Sequence, residues 1–251
     1  MHPNSVERLP FTLTESSVLA VIPARFHSTR LPGKILADIG GKPMIEHVYR
    51  RASSAARVHG VVVATDDDRI AAAVRGFGGA AIMTRTDHVS GTDRIAEAVA
   101  SLPCRIVVNV QGDEPLIDPK TIDAAVEPLL NDESVAMSTL SRPFVLPSEF
   151  QNPNVVKVVT NNFGDALYFS RAPLPGASAH IGLYVYRREA LLKLAATPAA
   201  QIELEERLEQ LRALACGMKI RVIPTTHTVA GVDTPEDLER VRSLMMATSR
   251  N

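Results

Sequence analysis

Val18-Leu19-Ala20-Val21-Ile22-Pro23-Ala24-Arg25-Phe26-His27-Ser28-Thr29-Arg30-Leu31-Pro32-Gly33-Lys34 decides the fold. Its first residues are apolar without alternation, the mark of a strand buried on both faces of a parallel sheet. At Pro23 the run breaks into a loop carrying Arg25, Arg30 and Lys34, where Gly33 permits close backbone approach. Ligands of open α/β sheets bind beyond the carboxyl ends of the strands, so three cations there suit a polyphosphate. A solvated basic loop would carry the same charges, and charge alone leaves both readings open. Neither G-x-G-x-x-G nor the P-loop pattern is present.

Outward from this stretch the pattern repeats. Gly60–Ala64, Gly79–Met83 and Arg105–Val110 are short apolar runs. Helical spacing follows Pro43, Asp66-Asp67-Asp68, Thr92 and Asp118-Pro119. Such alternation predicts an α/β fold, a mostly parallel sheet covered by helices on both faces. The three aspartates read as an N-cap and partners of the helix dipole rather than as metal ligands. Thr92 reads as the cap of the helix through Ile95 and Val99, although Ser90, Gly91 and Thr92 could also face a small planar base. Asp113 lies just past a central strand on the edge of the basic loop, placed to hold Mg²⁺ against phosphate oxygens. Glu114 points elsewhere in an extended chain and reads as structural.

After Val135 strands dominate: 136–140, 154–160, 166–171 and 180–187, with Asn161–Asp165 as a hairpin turn. The expected organisation is a flexible extension over 1–17 and a single domain over 18–251. An antiparallel β region is inserted at about 136–187. That region is the expected place for a second substrate and for a homodimer contact through Val155, Val158 and Tyr168, since Lys157 alone blunts an edge poorly. Helices are expected at 188–195 and 202–216, the second with Leu204, Leu208, Leu211 and Ala215 toward the core. Thr234 and Pro235 open the last helix.

The 251 residues carry a net charge of -1 with both signs scattered, unlike a nucleic-acid-binding surface. Cys104 and Cys216 sit apart in apolar segments and read as reduced thiols of a cytoplasmic protein. No apolar run reaches the length of a membrane span.

Five motifs carry a resemblance. They are Ala24-Arg25-x-x-Ser28-Thr29-Arg30-Leu31-Pro32-Gly33-Lys34, Arg85-x-Asp87-His88-x-Ser90-Gly91-Thr92, Gln111-Gly112-Asp113-Glu114-Pro115, Leu208-Glu209-Gln210-Leu211-Arg212 and Gly231-Val232-Asp233-Thr234-Pro235. In this order they resemble the sugar-acid cytidylyltransferases, most closely those of 3-deoxy-manno-octulosonate (Kdo). The resemblance implies the nucleotide-diphosphosugar transferase fold. The implied reaction joins CTP and Kdo to give CMP-Kdo and pyrophosphate, for lipopolysaccharide synthesis. It further implies CTP contacts by Ala24, Arg25, Lys34, Thr65, Arg85, Ser90, Gly91 and Gln111, with Arg85, Ser90 and Gly91 on cytosine. Arg25, Lys34, Asp113 and Asp233 would be the catalytic set, with Mg²⁺ on Asp113 and Asp233 and a second Mg²⁺ held mainly by the triphosphate. Glu209 and Gln210 would meet the sugar. Arg171 suits its carboxylate, since guanidinium grips one bidentately. His180 and Tyr184 share one side of a strand and would bond its hydroxyls.

Two departures stand out: Gly33-Lys34-Ile35-Leu36 replaces the family's Gly-Lys-Pro-Leu, and the loop over 172–179 is short. Either a surface lid is missing, or the pocket accepts a modified Kdo or sialic-type acid. A nucleotide-sugar-dependent glycosyltransferase, with Asp66-Asp67-Asp68 as its acidic motif, is the reading from another class. The number of cations on the basic loop favours a triphosphate over its diphosphate donor. A non-catalytic nucleotide-binding regulator is a third reading, weakened by two metal-type carboxylates standing together.

Overall fold

The structure, a computed structural model, describes residues 9–28, 30–226 and 231–248. Strand β1 (Val18–Ala24) is the axis of the sheet, and all but one of its residues are buried. Val18, Ala20, Ile22 and Ala24 enter one core, while Leu19 and Val21 enter the other. Two covered faces explain why the run shows no polar alternation.

In chain order come the 3₁₀ turn Lys34–Leu36, the short pair β2 (Asp38–Ile39) and β3 (Lys42–Pro43), α1 (Met44–Ser53), β4 (Gly60–Thr65), α2 (Asp68–Gly76), β5 (Ala80–Met83), α3 (Gly91–Val99), β6 (Ile106–Asn109) and α4 (Pro119–Asn131). β7 (Met137–Arg142), α5 (Pro147–Gln151), β8 (Lys157–Thr160), β9 (Ala166–Ser170) and β10 (Ser178–Arg187) follow. The described chain closes with α6 (Arg188–Ala196), α7 (Gln201–Glu206), α8 (Gln210–Ala215), β11 (Ile220–Pro224) and α9 (Pro235–Thr248). The main sheet runs β11-β7-β10-β6-β1-β4-β5, with β8 and β9 attached beside β10. β1 pairs in parallel with β4 and β6, β4 with β5, and β7 with β11; β10 is antiparallel to both of its main-sheet neighbours. Residues of α1, α2, α4 and α9 fill one face, and residues of α3, α6 and α8 the other. The expected sheet with helices on both faces is therefore present.

Several details differ from expectation. β7 and β10 belong to the main sheet, so within 136–187 only the β8–β9 hairpin leaves its path. Of the expected extension, residues 1–8 lie outside the described residues. Leu9, Phe11 and Leu13 pack against the core instead of extending away. Phe11 lies so close over Gly60 that a Cβ there would come within 2.3 Å of its ring. The single helix expected over 202–216 is broken into α7 and α8, because Arg207 turns left-handed at φ 56°. That break rotates Leu204 outward to 60% exposure, while Leu208 and Leu211 stay buried.

Asp67 caps α2 by accepting from the Arg69 N–H. Cys104 and Cys216 are free thiols. Among the described residues no helix is long and apolar enough to cross a membrane.

Candidate active site

The carboxyl ends of β1, β4 and β6 release three loops at one edge of the sheet, as parallel register requires. Gly33, left-handed at φ 68°, donates its N–H to the Phe26 carbonyl and closes the basic loop. This brings Lys34 back over the sheet. Its ammonium donates to Asp113 Oδ2 at 2.6 Å, Asp233 Oδ1 at 3.1 Å and the Val232 carbonyl at 3.1 Å. Burial opposes that charge, but Asp113 and Asp233 outweigh it and hold the Lys34 pKa above the ordinary lysine value. Arg30 adds a second cation, 2.9 Å from Asp233 Oδ1. The Val232 N–H donates to the Asp113 carbonyl at 2.9 Å, joining two segments far apart in sequence. Thr29, inside the basic motif, lies outside the described residues.

Asp113 and Asp233 thus share one cation, the Lys34 ammonium, and both keep an exposed side. Among the described residues no cluster of three or more His, Cys, Asp or Glu suits a metal. Two carboxylates fit Mg²⁺, which keeps several waters and binds one or two carboxylates together with substrate phosphates. Gly112 leaves room for the turn before Asp113: a Cβ there would lie 3.0 Å from Ile35 and 3.2 Å from the Pro23 carbonyl. Buried Glu114 has its pKa pushed up to about 8 by burial and by Asp113, in keeping with a structural neutral acid.

Arg25 reaches across to the loop before α3, donating to the His88 carbonyl at 2.9 Å. His88 pairs with Glu97, which also accepts the Arg85 N–H at 3.0 Å. The Arg85 guanidinium is exposed beside Asp87. Ser90, not Thr92, caps α3, accepting the Asp93 N–H at 3.2 Å. Thr92 lies inside the first turn, and its hydroxyl donates to Glu209 Oε2 at 2.6 Å. Gly91 packs on Pro23 of β1. Thr65 is fully buried, and its hydroxyl accepts the Asp67 N–H. Ala24, at the end of β1, is buried.

A cavity of about 270 Å³ opens between α3 and α8, lined among others by Gly91, Gln111, Tyr184, Glu209 and Gln210. Five residues expected to bind the two substrates therefore share one wall. Gln210 is buried, and its Nε2 finds no partner. A buried donor without an acceptor is costly and suits a ligand oxygen. Gln111 donates to Asn109 and to the Gly182 carbonyl. A larger cavity, about 400 Å³, lies at the far end of the sheet among three arginines and three glutamates. Its Arg187 and Arg188 donate to main-chain carbonyls, and none of the described residues of the basic loop lines it.

His180 and Tyr184 do face the same way, with ring centroids 5.5 Å apart despite the register shift between Ile181 and Tyr184. Only Tyr184 reaches the cavity; His180 sits behind it, 2.8 Å from the Thr139 hydroxyl and edge-on to Phe169. Burial pushes the His180 pKa down to about 3. The unfolded chain then takes up this proton first, so the stability tied to His180 is complete above about pH 6.5 and falls as pH drops toward 3. Acidification from pH 7 to 5 should cost up to about 2 kcal/mol through this group. In His180→Gln that share of the acid dependence should vanish from thermal melts. An unchanged acid limb would refute the assignment.

Arg171 does not line the cavity. Its guanidinium donates to the carbonyls of Glu206, Pro153 and Arg207. Glu206 ends α7, whose last carbonyls lack intrahelical donors, and Arg171 supplies them. Sequence reasoning missed Asn109, Tyr186, Leu194 and Arg207 as lining residues, and read Leu208, which also lines the cavity, only as core. Asn109 was detectable as an amide ending an apolar strand, and Tyr186 by sharing the side of Tyr184. Arg207 gave no signal, because the helical spacing runs through it.

A family model described as Cytidylyltransferase matches residues 19–220. The 3-deoxy-manno-octulosonate cytidylyltransferase of Solibacter usitatus is 52% identical over 240 residues, covering 92% of this chain and 95% of that protein. Its namesake from Geobacter sulfurreducens is 54% identical over 244 residues, covering 90% and 98%. A solved CMP:2-keto-3-deoxy-manno-octonic acid synthetase complexed with CTP superposes with a TM-score of 0.90 at 46% identity, covering 93% of this chain and all of that one.

Proposed function

Because the chain belongs to the cytidylyltransferase family, among its 3-deoxy-manno-octulosonate members, we propose that the edge site described above joins CTP to Kdo, giving CMP-Kdo and pyrophosphate. The observation that carries the assignment of roles is the convergence of Asp113 and Asp233 on one ammonium, with Gln111 leading from them to the cavity wall.

The anomeric hydroxyl of the sugar acid attacks the α-phosphorus of CTP, and pyrophosphate leaves. Such transfer needs in-line positioning and charge neutralisation more than covalent help. Arg25, Arg30 and Lys34 neutralise the triphosphate as it enters. Ala24 and Thr65, at the ends of β1 and β4, form the floor beneath the nucleotide. Arg85, Ser90 and Gly91 hold the cytosine at the start of α3. Asp113 and Asp233 are the residues that would hold Mg²⁺. When bound, the ion supplies positive charge beside the α-phosphate and lowers the pKa of the attacking hydroxyl. Tyr184, Glu209 and Gln210 orient the sugar acid in the cavity, with His180 setting the Tyr184 ring from behind. Tyr184, Glu209 and Gln210 all line the cavity although the loop over 172–179 is short, which favours a shortened surface lid over an altered pocket. Pyrophosphate release tests this with Kdo, an 8-amino analogue, a sialic acid and neutral sugar phosphates. Turnover with Kdo and CTP is expected. Turnover only with a sugar phosphate would overturn the reading, and a clear preference for another acid would favour the altered pocket.

The protein is further proposed to work in the cytoplasm as a homodimer. Supporting the dimer, β9 pairs only with β8 among the strands of the sheet, and Phe163 and Leu167 on this hairpin are 79% and 59% exposed. Val158 and Lys157 are buried, so neither serves as the contact or blunts the edge. Sedimentation at micromolar concentration should find a dimer that Leu167→Lys dissociates; a purely monomeric wild type would refute it.

A further inference from the structure

The cavity between α3 and α8 has a connected set of polar side chains along its wall, drawn from β6, β10, α3 and the start of α8. Gln111 Nε2 donates to Asn109 Oδ1 at 3.2 Å. The Tyr186 hydroxyl bonds the side chains of Asn109 and Thr92. The Thr92 hydroxyl donates to Glu209 Oε2 at 2.6 Å. All five residues line the cavity, and Thr92, Asn109 and Tyr186 are buried.

Donor and acceptor roles along this chain follow from its last member. The Glu209 carboxylate accepts, so the single Thr92 hydroxyl proton is committed to it. Thr92 is then an acceptor for Tyr186, and Tyr186 an acceptor for the Asn109 amide. The Asn109 carbonyl oxygen remains for Gln111. Burial and the charge of Glu209 raise the Tyr186 pKa, which keeps the phenol protonated for this role. Each hydroxyl donates once and accepts once, so the chain has one direction, and bonds arranged in this way reinforce one another.

Glu209 itself stands just before α8, where a carboxylate ordinarily accepts from the first N–H groups of its own helix. It makes no such bond. Among the described residues Thr92 is the one hydrogen-bond partner of its carboxylate, and Oε1 is left for a ligand in the cavity.

We infer that Thr92 and Tyr186 are positioning residues for the sugar acid, holding Glu209 so that its free oxygen meets a hydroxyl of that substrate. The inference rests on the reading of the cavity as the sugar-acid site. In a 2-keto acid the carboxylate is bonded to the carbon that carries the attacking hydroxyl, so it belongs beside Asp113 and Asp233. Glu209 therefore serves the hydroxyl-bearing remainder of the molecule, for which an acceptor is the right partner. Thr92 neither caps α3, since Ser90 does, nor has a proton to offer the base. Without the Thr92 hydroxyl, half-buried Glu209 would turn toward the N–H groups of α8 or toward water. The substrate would then have to order it on binding, which costs affinity.

The test compares wild type with Thr92→Val, Thr92→Ser, Tyr186→Phe and Glu209→Ala, and with Thr92→Val combined with each of the last two. The readouts are kcat/KM for Kdo at saturating CTP and the KM for CTP. Thr92→Val keeps the shape and removes the hydroxyl. It should lower kcat/KM for Kdo about tenfold, the scale of one hydrogen bond to a charged group, with the KM for CTP within about twofold. Thr92→Ser should recover most of that loss. Tyr186→Phe should cost about threefold, because Thr92 keeps its bond to Glu209. Added to Thr92→Val it should cost no more than about twofold further, since the chain is already broken beside Glu209. Glu209→Ala should lose at least as much as Thr92→Val, and in its background Thr92→Val should add less than about twofold. An unaltered Thr92→Val beside an impaired Glu209→Ala would overturn the inference alone. So would a full further loss from Thr92→Val in the Glu209→Ala background, which would mean that Thr92 touches the sugar itself. Unchanged kcat/KM for Kdo in Glu209→Ala would instead overturn the reading of the cavity as the sugar-acid site, and this inference with it.

Discussion

Asp113→Asn should lower turnover by about 10²–10³, the scale of losing one electrostatic stabiliser at a reaction centre. The substitution is nearly isosteric, so the loss reports charge rather than shape. The fold should survive, because Lys34 keeps Asp233 Oδ1 and the Val232 carbonyl at 3.1 Å each, and the Asp113 carbonyl still accepts from Val232. Asp233→Asn should behave alike. The double variant should lose much less than the product of the two, since both carboxylates act on the same cation position. A melting temperature within a few degrees of wild type, measured beside turnover, separates this outcome from collapse. Near-normal Mg²⁺-dependent turnover in folded Asp113→Asn would sink the assignment.

Why Asp113 was legible in the sequence and Arg207 was not follows from how each is positioned. Asp113 lies in the loop just past the apolar strand β6, and in a parallel sheet that fact alone places it at the ligand edge. Lys34 was legible for the same reason, through β1. By contrast, the partnership of Asp113 with Asp233 depends on a main-chain bond between residues that no local pattern relates. The cavity wall was half legible. Gln210 and Glu209 entered through a motif, yet their spacing alone favoured an exposed face. One left-handed residue between α7 and α8 turned Gln210 inward and Leu204 outward. Periodicity cannot register a break that substitutes no proline or glycine. Arg171 misled for a related reason: its charge suits a carboxylate, but the helix end beside it had carbonyls to satisfy.

A second large effect is expected at a residue without direct contact with either proposed substrate. Arg94 in the first turn of α3 is completely buried; it donates to Asp66 Oδ2 at 2.8 Å and to the Thr84 hydroxyl at 2.5 Å. Its Nε has no partner, so this pair is not optimised for stability alone. Asp66 follows β4 and Thr84 follows β5, so one guanidinium ties two strand ends to the helix whose start carries Ser90 and Gly91. Breaking a buried pair by removing one partner costs about 3–5 kcal/mol, because the remaining charge has no compensation. Asp66 keeps 19% of its side chain exposed, which argues for the lower end of that range. Arg94→Met should therefore lower the melting temperature by roughly 6–12 °C, and at temperatures where it stays folded it should raise the KM for CTP more than it lowers kcat. Adding Asp66→Asn should restore part of the lost stability, since the penalty resides in the orphaned carboxylate rather than in the lost attraction. A single variant that melts within about 2 °C of wild type would show that Arg94 and Asp66 carry no such coupling. A double variant less stable than the single would show that the penalty lies in lost packing around Arg94 instead.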